Sequence, residues 1–79
     1  MKQNARRTLA IRLGIAIARL RTARGWSRPD LARRADLDDT YVRLVEHGQD
    51  VPTLTVLVEL AQVLGTTPAD LVREVAEPE

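Results

Sequence analysis

From Asp36 to Gly48 the chain reads Asp-Leu-Asp-Asp-Thr-Tyr-Val-Arg-Leu-Val-Glu-His-Gly, and its polar groups recur at helical spacing. Thr40, Arg43, Leu44 and His47 share one face, while Val42 and Val45 share the opposite one. The first set carries the chemistry that reads base edges in a groove of duplex DNA. A guanidinium donates in parallel to guanine O6 and N7, a hydroxyl bonds a base, and an apolar tip meets a thymine methyl. Catalysis has no comparable set. His47 is the single histidine, cysteine is absent, and the acids scatter along a polar half. With no Ser/His/Asp constellation, no metal-ligand cluster and no Gly-rich phosphate loop, neither an enzyme nor a metal or cofactor is expected.

Such a face needs a scaffold, and 79 residues allow one domain, 1–79, that buries about 60% of its unfolded surface. One Trp and one Tyr make the core aliphatic. Leu9, Leu13, Ile17 and Leu20, with Ile15 and Ala16 filling in, give a first helix that stops at Arg24-Gly25. Gly14 weakens it by roughly 1 kcal/mol relative to Ala. Two starts are open: near Arg12, leaving 1–8 as a mobile basic arm, or near Asn4. Ser27-Arg28-Pro29-Asp30 opens a short second helix to about Ala35, with Ser27 as cap, Asp30 as capping-box partner and Trp26–Leu31 as staple. Asp36-Leu37-Asp38 makes a tight turn into a third helix that runs to about His47 and stops at Gly48. Thr53 caps a fourth helix whose apolar stripe is Leu54, Leu57, Leu60, Ala61 and Leu64. Thr67-Pro68-Ala69-Asp70 opens a fifth, to about Ala76, and 77–79 should fray. The chain reads as all-α.

The formal net charge of +1 conceals a division. Residues 1–34 hold ten basic groups against one acid, for +9; residues 35–79 hold two against ten, for −8. A basic first half suits a polyanion, and basic and acidic ends can also attract each other. No stretch approaches the ~20 apolar residues that span a bilayer, and no signal peptide is evident. Absent cysteines fit a reducing compartment, so a cytoplasmic protein of bacterial or phage type is expected, without membrane or small-molecule ligand.

Helices two and three have the form of a helix-turn-helix. Ala32 is the small residue facing the partner helix, Asp36 tolerates the left-handed turn conformation, and Leu37 plugs the turn. The run Leu31-Ala32-Arg33-Arg34-Ala35-Asp36-Leu37-Asp38, then Tyr41-Val42, Val45-Glu46-His47-Gly48, Pro52-Thr53-Leu54, Leu60-Ala61 and Leu64-Gly65, resembles the lambda-repressor-like helix-turn-helix family over about residues 12–75. The resemblance implies a five-helix, sequence-specific DNA binder acting as a dimer on an operator with two-fold symmetry. It also implies an ion pair between Arg21, late in the first helix, and Glu46, which ends the recognition helix. The chain is similar to the small controller proteins of restriction–modification systems, whose recognition helix opens Leu-Asp-Arg-Thr-Tyr. Here Leu37-Asp38-Asp39-Thr40-Tyr41 puts a carboxylate in place of the arginine. Asp39 can accept from a cytosine amino group or serve the helix dipole, so the operator must differ.

The expected contacts follow. Arg28, at a helix start, anchors a phosphate. Asp39, Thr40, Arg43 and Leu44 face bases, with an Asp39–Arg43 pair as the alternative for the arginine. Tyr41 packs its ring and offers its hydroxyl to phosphate. His47 caps or faces phosphate, Thr53 caps and touches phosphate, and Arg6, Arg7 and Arg12 add a salt-sensitive attraction. A homodimer seam is expected on helices four and five at Thr66, Leu71, Val72 and Val75. The rival readings are an antitoxin of the same fold that neutralises a toxin, and a helical protein-interaction module without DNA binding.

Overall fold

Caps and stops partition the chain into α1 (Gln3–Ala23), α2 (Arg28–Ala35), α3 (Asp39–Glu46), α4 (Leu54–Val63) and α5 (Pro68–Ala76). This computed structural model describes the backbone of residues 3–76 and the side chains of residues 5–76. Of the two starts left open for α1, the helix takes the earlier one, so residues 3–8 are helical and do not form an arm. Met1, Lys2 and the expected frayed tail 77–79 lie outside the described residues. Packing carries α1 through: Ala10 is buried, and Leu9 and Leu13 rest on the core. Gly14 is itself a contact. A Cβ there would collide with the carbonyl oxygens of Glu46 and, at 2.5 Å, of Val45, so its missing side chain is what lets α1 approach the end of α3.

At the head of α2 the Asp30 N–H donates to Ser27 Oγ (3.2 Å) and the Ser27 N–H donates to Asp30 Oδ2 (2.9 Å), a complete capping box. The Ser27 N–H, then the Arg33 guanidinium, holds the Asp30 carboxyl down at about 2, against a usual 3.8. A depressed folded pKa gives stability that is whole above the unfolded value and is lost as pH falls through the folded one. Asp30→Asn is therefore expected to melt below the wild type at neutral pH. The gap should close as pH falls from about 3.8 through about 2. A gap that did not change with pH would show that the charge contributes nothing.

Asp36 ends α2 in the left-handed region (φ 56°, ψ 46°), and the Leu37 N–H donates back to Ala32 O at 2.7 Å. Asp38 then caps α3, accepting from the Thr40 N–H at 2.8 Å. Two apolar clusters join the helices. Ile17, Leu31, Ala32, Ala35, Val42, Val45, Leu60 and Leu64 bind α1 to α4 together, and Ala16, Ala61, Leu71 and Val75 seat α5 on α1 and α4.

Two residues assigned to apolar faces do not join these clusters. Ile15 is 60% exposed because it lies on the side of α1 away from Leu13, Ile17 and Leu20, and Leu54, the first residue of α4, is 74% exposed. Leu71 needs correcting as a seam residue: at 1% exposure it is spent in this chain's own core. Val75 is also buried there, with only an edge reaching the surface. The oppositely charged halves do meet in part. Arg19 pairs with Glu74, and Arg12 Nη1 donates to Val75 O near the end of α5 (3.2 Å). Arg24 Nε likewise donates to Leu64 O at the end of α4 (3.1 Å). Cations at helix C-termini satisfy carbonyls that the helix leaves open. Arg12 is thus engaged within the fold through one terminal nitrogen, on a neutral carbonyl that leaves its positive charge in place.

Candidate nucleic-acid interface

The second helix of the α2–α3 pair is held by its apolar side. Val42 and Val45 are each 2% exposed, and Leu37 and Tyr41 pack beside them. That leaves Asp39, Thr40, Arg43 and His47 exposed on the other side, with Leu44 half-buried at its margin. Among the described residues the Arg43 guanidinium has no bonded partner, and the Asp39–Arg43 pair is not formed. The recognition helix therefore offers an uncommitted fork of five N–H donors. His47 is the terminal cap residue of α3, its N–H donating to Arg43 O at 3.1 Å. Partial burial, and then the Asp50 carboxylate, push the Tyr41 phenol above its ordinary pKa, so at neutral pH it is a protonated donor.

Residues from two other helix starts accompany this face. Thr53 caps α4, its Oγ1 accepting from the Val56 N–H at 3.3 Å, which leaves the hydroxyl proton free to donate elsewhere. Arg28, the first residue of α2, is half-exposed but not free: its Nε donates to Glu46 Oε1 at 3.0 Å. Glu46 is the one buried polar or charged residue among the described residues, its side chain 1% exposed. It accepts two bonds from Arg21, Nε to Oε2 at 2.6 Å and Nη2 to Oε1 at 3.0 Å. Arg21 Nη1 donates to Trp26 O at 2.8 Å, so every group of this buried network is satisfied. The bond to Glu46 outweighs burial and raises the Arg21 pKa.

Sequence reasoning found the Arg21–Glu46 pair only through the family resemblance and missed Arg28 as a third member. Eighteen positions separate Arg28 from Glu46, and no local pattern marks such a bond. Trp26 packs on the core, and two cations lie over its ring, Arg24 at 5.3 Å and Arg34 at 4.4 Å from the centroid.

Of the four expected seam residues, two come together. Val72 (53% exposed) and the edge of Val75 line a groove of about 400 Å³ with Leu9, Leu13, Val51 and Leu57. Thr66 and Leu71 are not part of it. No three His, Cys, Asp or Glu side chains among the described residues group as metal ligands. No helix among them is long and apolar enough to cross a membrane.

Comparison with known proteins agrees with this geometry. The sequence profile of the helix-turn-helix domain matches residues 12–75. An uncharacterized HTH-type transcriptional regulator, y4dJ of Sinorhizobium fredii, is 35% identical over 60 residues, covering 76% of this chain and 78% of that protein. The restriction-modification controller protein C.AhdI of Aeromonas hydrophila superposes with a TM-score of 0.75 at 37% identity, covering 78% of this chain and 94% of that one. The clp gene regulator ClgR of Corynebacterium glutamicum superposes at 0.80 with 26% identity, covering 86% and 72%.

Proposed function

The chain belongs to the helix-turn-helix family as a DNA-binding transcription regulator of the controller-protein type, and from that premise we propose that it acts as a homodimer on a palindromic operator, as the controller of a restriction–modification system. The observation that carries the reading is the outward face of α3. Thr40 and Arg43 stand exposed and unpaired there, while Val42 and Val45 clamp the opposite side to the core. A helix of this size presented by its polar face suits the major groove, with Arg43 reading guanine and Thr40 a neighbouring base. Asp39 either accepts from a cytosine amino group or supports the helix start. Tyr41, His47, Thr53 and Arg28 contact the flanking phosphates, and Leu44 covers a thymine methyl.

One recognition helix makes few base contacts, and two-fold pairing doubles them. The exposed Val72, beside the apolar groove, supports a seam on the α5 side. Whether the outcome is activation or repression depends on where the operator lies relative to a promoter. Similarity to a controller protein supports the restriction–modification role.

The test is selection of the purified chain against random duplexes at physiological salt, with Arg43→Ala in parallel. The wild type is expected to enrich a palindrome with half-sites about one helical turn apart. Arg43→Ala is expected to lose about 1–3 kcal/mol of discrimination at one position of each half-site. If nothing is enriched, the specific-regulator reading fails, and a protein partner becomes the object of search.

A further inference from the structure

The buried carboxylate of Glu46 is shared by two guanidiniums, and they are used differently. Arg21 spends Nε, Nη1 and Nη2 inside the fold, and its side chain is 12% exposed. Arg28 spends only Nε on Glu46, and its side chain is 38% exposed, which leaves both terminal nitrogens without a bonded partner among the described residues. A guanidinium fixed through Nε cannot turn its fork away. The charges do not balance either: two cations meet one anion, so the cluster carries a surplus of +1 where Arg28 reaches the surface. One phosphate would neutralise it.

We infer that Glu46 is a positioning residue for DNA, holding the Arg28 fork outward to receive a backbone phosphate. This rests on the DNA-binding reading above and adds a role for a residue that does not itself touch DNA. Glu46 is the last residue of α3 and Arg28 the first of α2. The phosphate contact is thereby tied to the helix that reads bases, and seating one sets the register of the other. A second carboxylate near DNA would ordinarily repel it; this one acts through the cation it orients.

The test is a double-mutant cycle on the full chain, comparing wild type, Arg28→Ala, Glu46→Gln and the pair. Binding is titrated on the selected duplex and on a mixed-sequence duplex over a range of salt, and each protein is melted without DNA. Arg28→Ala is expected to weaken both duplexes by a similar factor, about tenfold or more. It should lower the slope of log affinity against log salt by about 0.9 per protomer. For Glu46→Gln, simple charge removal predicts tighter binding to a polyanion. Positioning predicts the opposite, a weakening of about three- to tenfold that vanishes when Arg28 is already alanine.

Equal or tighter binding by Glu46→Gln overturns the inference. So does a loss that is the same with and without Arg28, which would mark Glu46 as structural only. If Glu46→Gln gives no cooperative melt, Arg28→Lys replaces it. That variant keeps the charge but has no Nε for Glu46 to hold, and weaker binding than the wild type on both duplexes is expected; full affinity overturns the inference. A wild type that binds DNA without dependence on Arg28 sinks this inference alone. A wild type that binds no duplex sinks the regulator reading with it.

Discussion

Glu46→Ala is expected to destabilise the domain by about 3–5 kcal/mol, the cost of leaving a buried charge without its partner. Arg21 is 12% exposed and would keep only the Trp26 carbonyl as acceptor. Native domains of this size hold about 4–12 kcal/mol in all, so the variant should be largely unfolded at temperatures the wild type tolerates. Denaturant unfolding followed by helical circular dichroism measures it. Arg28→Ala is the contrast: that side chain is 38% exposed and its removal leaves the bidentate Arg21–Glu46 bond whole, so about 1 kcal/mol or less is expected. A loss under about 1 kcal/mol in Glu46→Ala would mean that Arg21 finds water, and that the network does not hold α1 to α3.

Gly14→Ala is expected to destabilise by about 2 kcal/mol, with a melting temperature lower by roughly 10 °C, although alanine is the better helix former. Two effects oppose each other. Replacing a mid-helix glycine returns roughly 1 kcal/mol of propensity. The added Cβ meets the backbone at the end of α3, the Val45 oxygen at 2.5 Å and the Glu46 carbonyl carbon at 2.7 Å, and backbone cannot swing aside as a long side chain can. The helices must separate, loosening Ile17 from Val42 and Val45 in the shared cluster. Overpacking wins because the nearest atoms it meets are all backbone of α3. A thermal melt decides it, and a variant more stable than the wild type would show that the contact yields without cost. By comparison, a Cβ at Gly25 would meet nothing within 4 Å, and that position resists substitution only through its φ of 72°.

Local chemistry alone settles α2 to α5, the turn and the face. Ser27 with Asp30, Asp38, Thr53 and Thr67 each bond a backbone N–H two or three residues on, so those helix starts are set within a single turn of chain. Asp36 in the left-handed region, and Val42 and Val45 opposite Thr40 and Arg43, likewise follow from backbone sterics and a repeat of 3.6 residues. The helix-turn-helix family was legible for the same reason, since its signature is mostly this local punctuation.

Whatever depends on how far one helix overlaps another had to wait for the packed fold. Leu54 fits its apolar stripe yet stands exposed, because periodicity gives a direction around a helix and no information on which stretch of its length is covered. Leu71 fits a seam equally well and is consumed by the core for the opposite reason. Gly14 reads as a weakness until α3 is laid against it. Arg12 and Arg24 read only as surface charge until the fold brings them to carbonyls 63 and 40 positions away. The sharing of Glu46 between Arg21 and Arg28 belongs to the same class. Hydrogen bonds within one turn need only the chain's own geometry, whereas these need three helices already docked, and docking is settled by the summed packing of all of them.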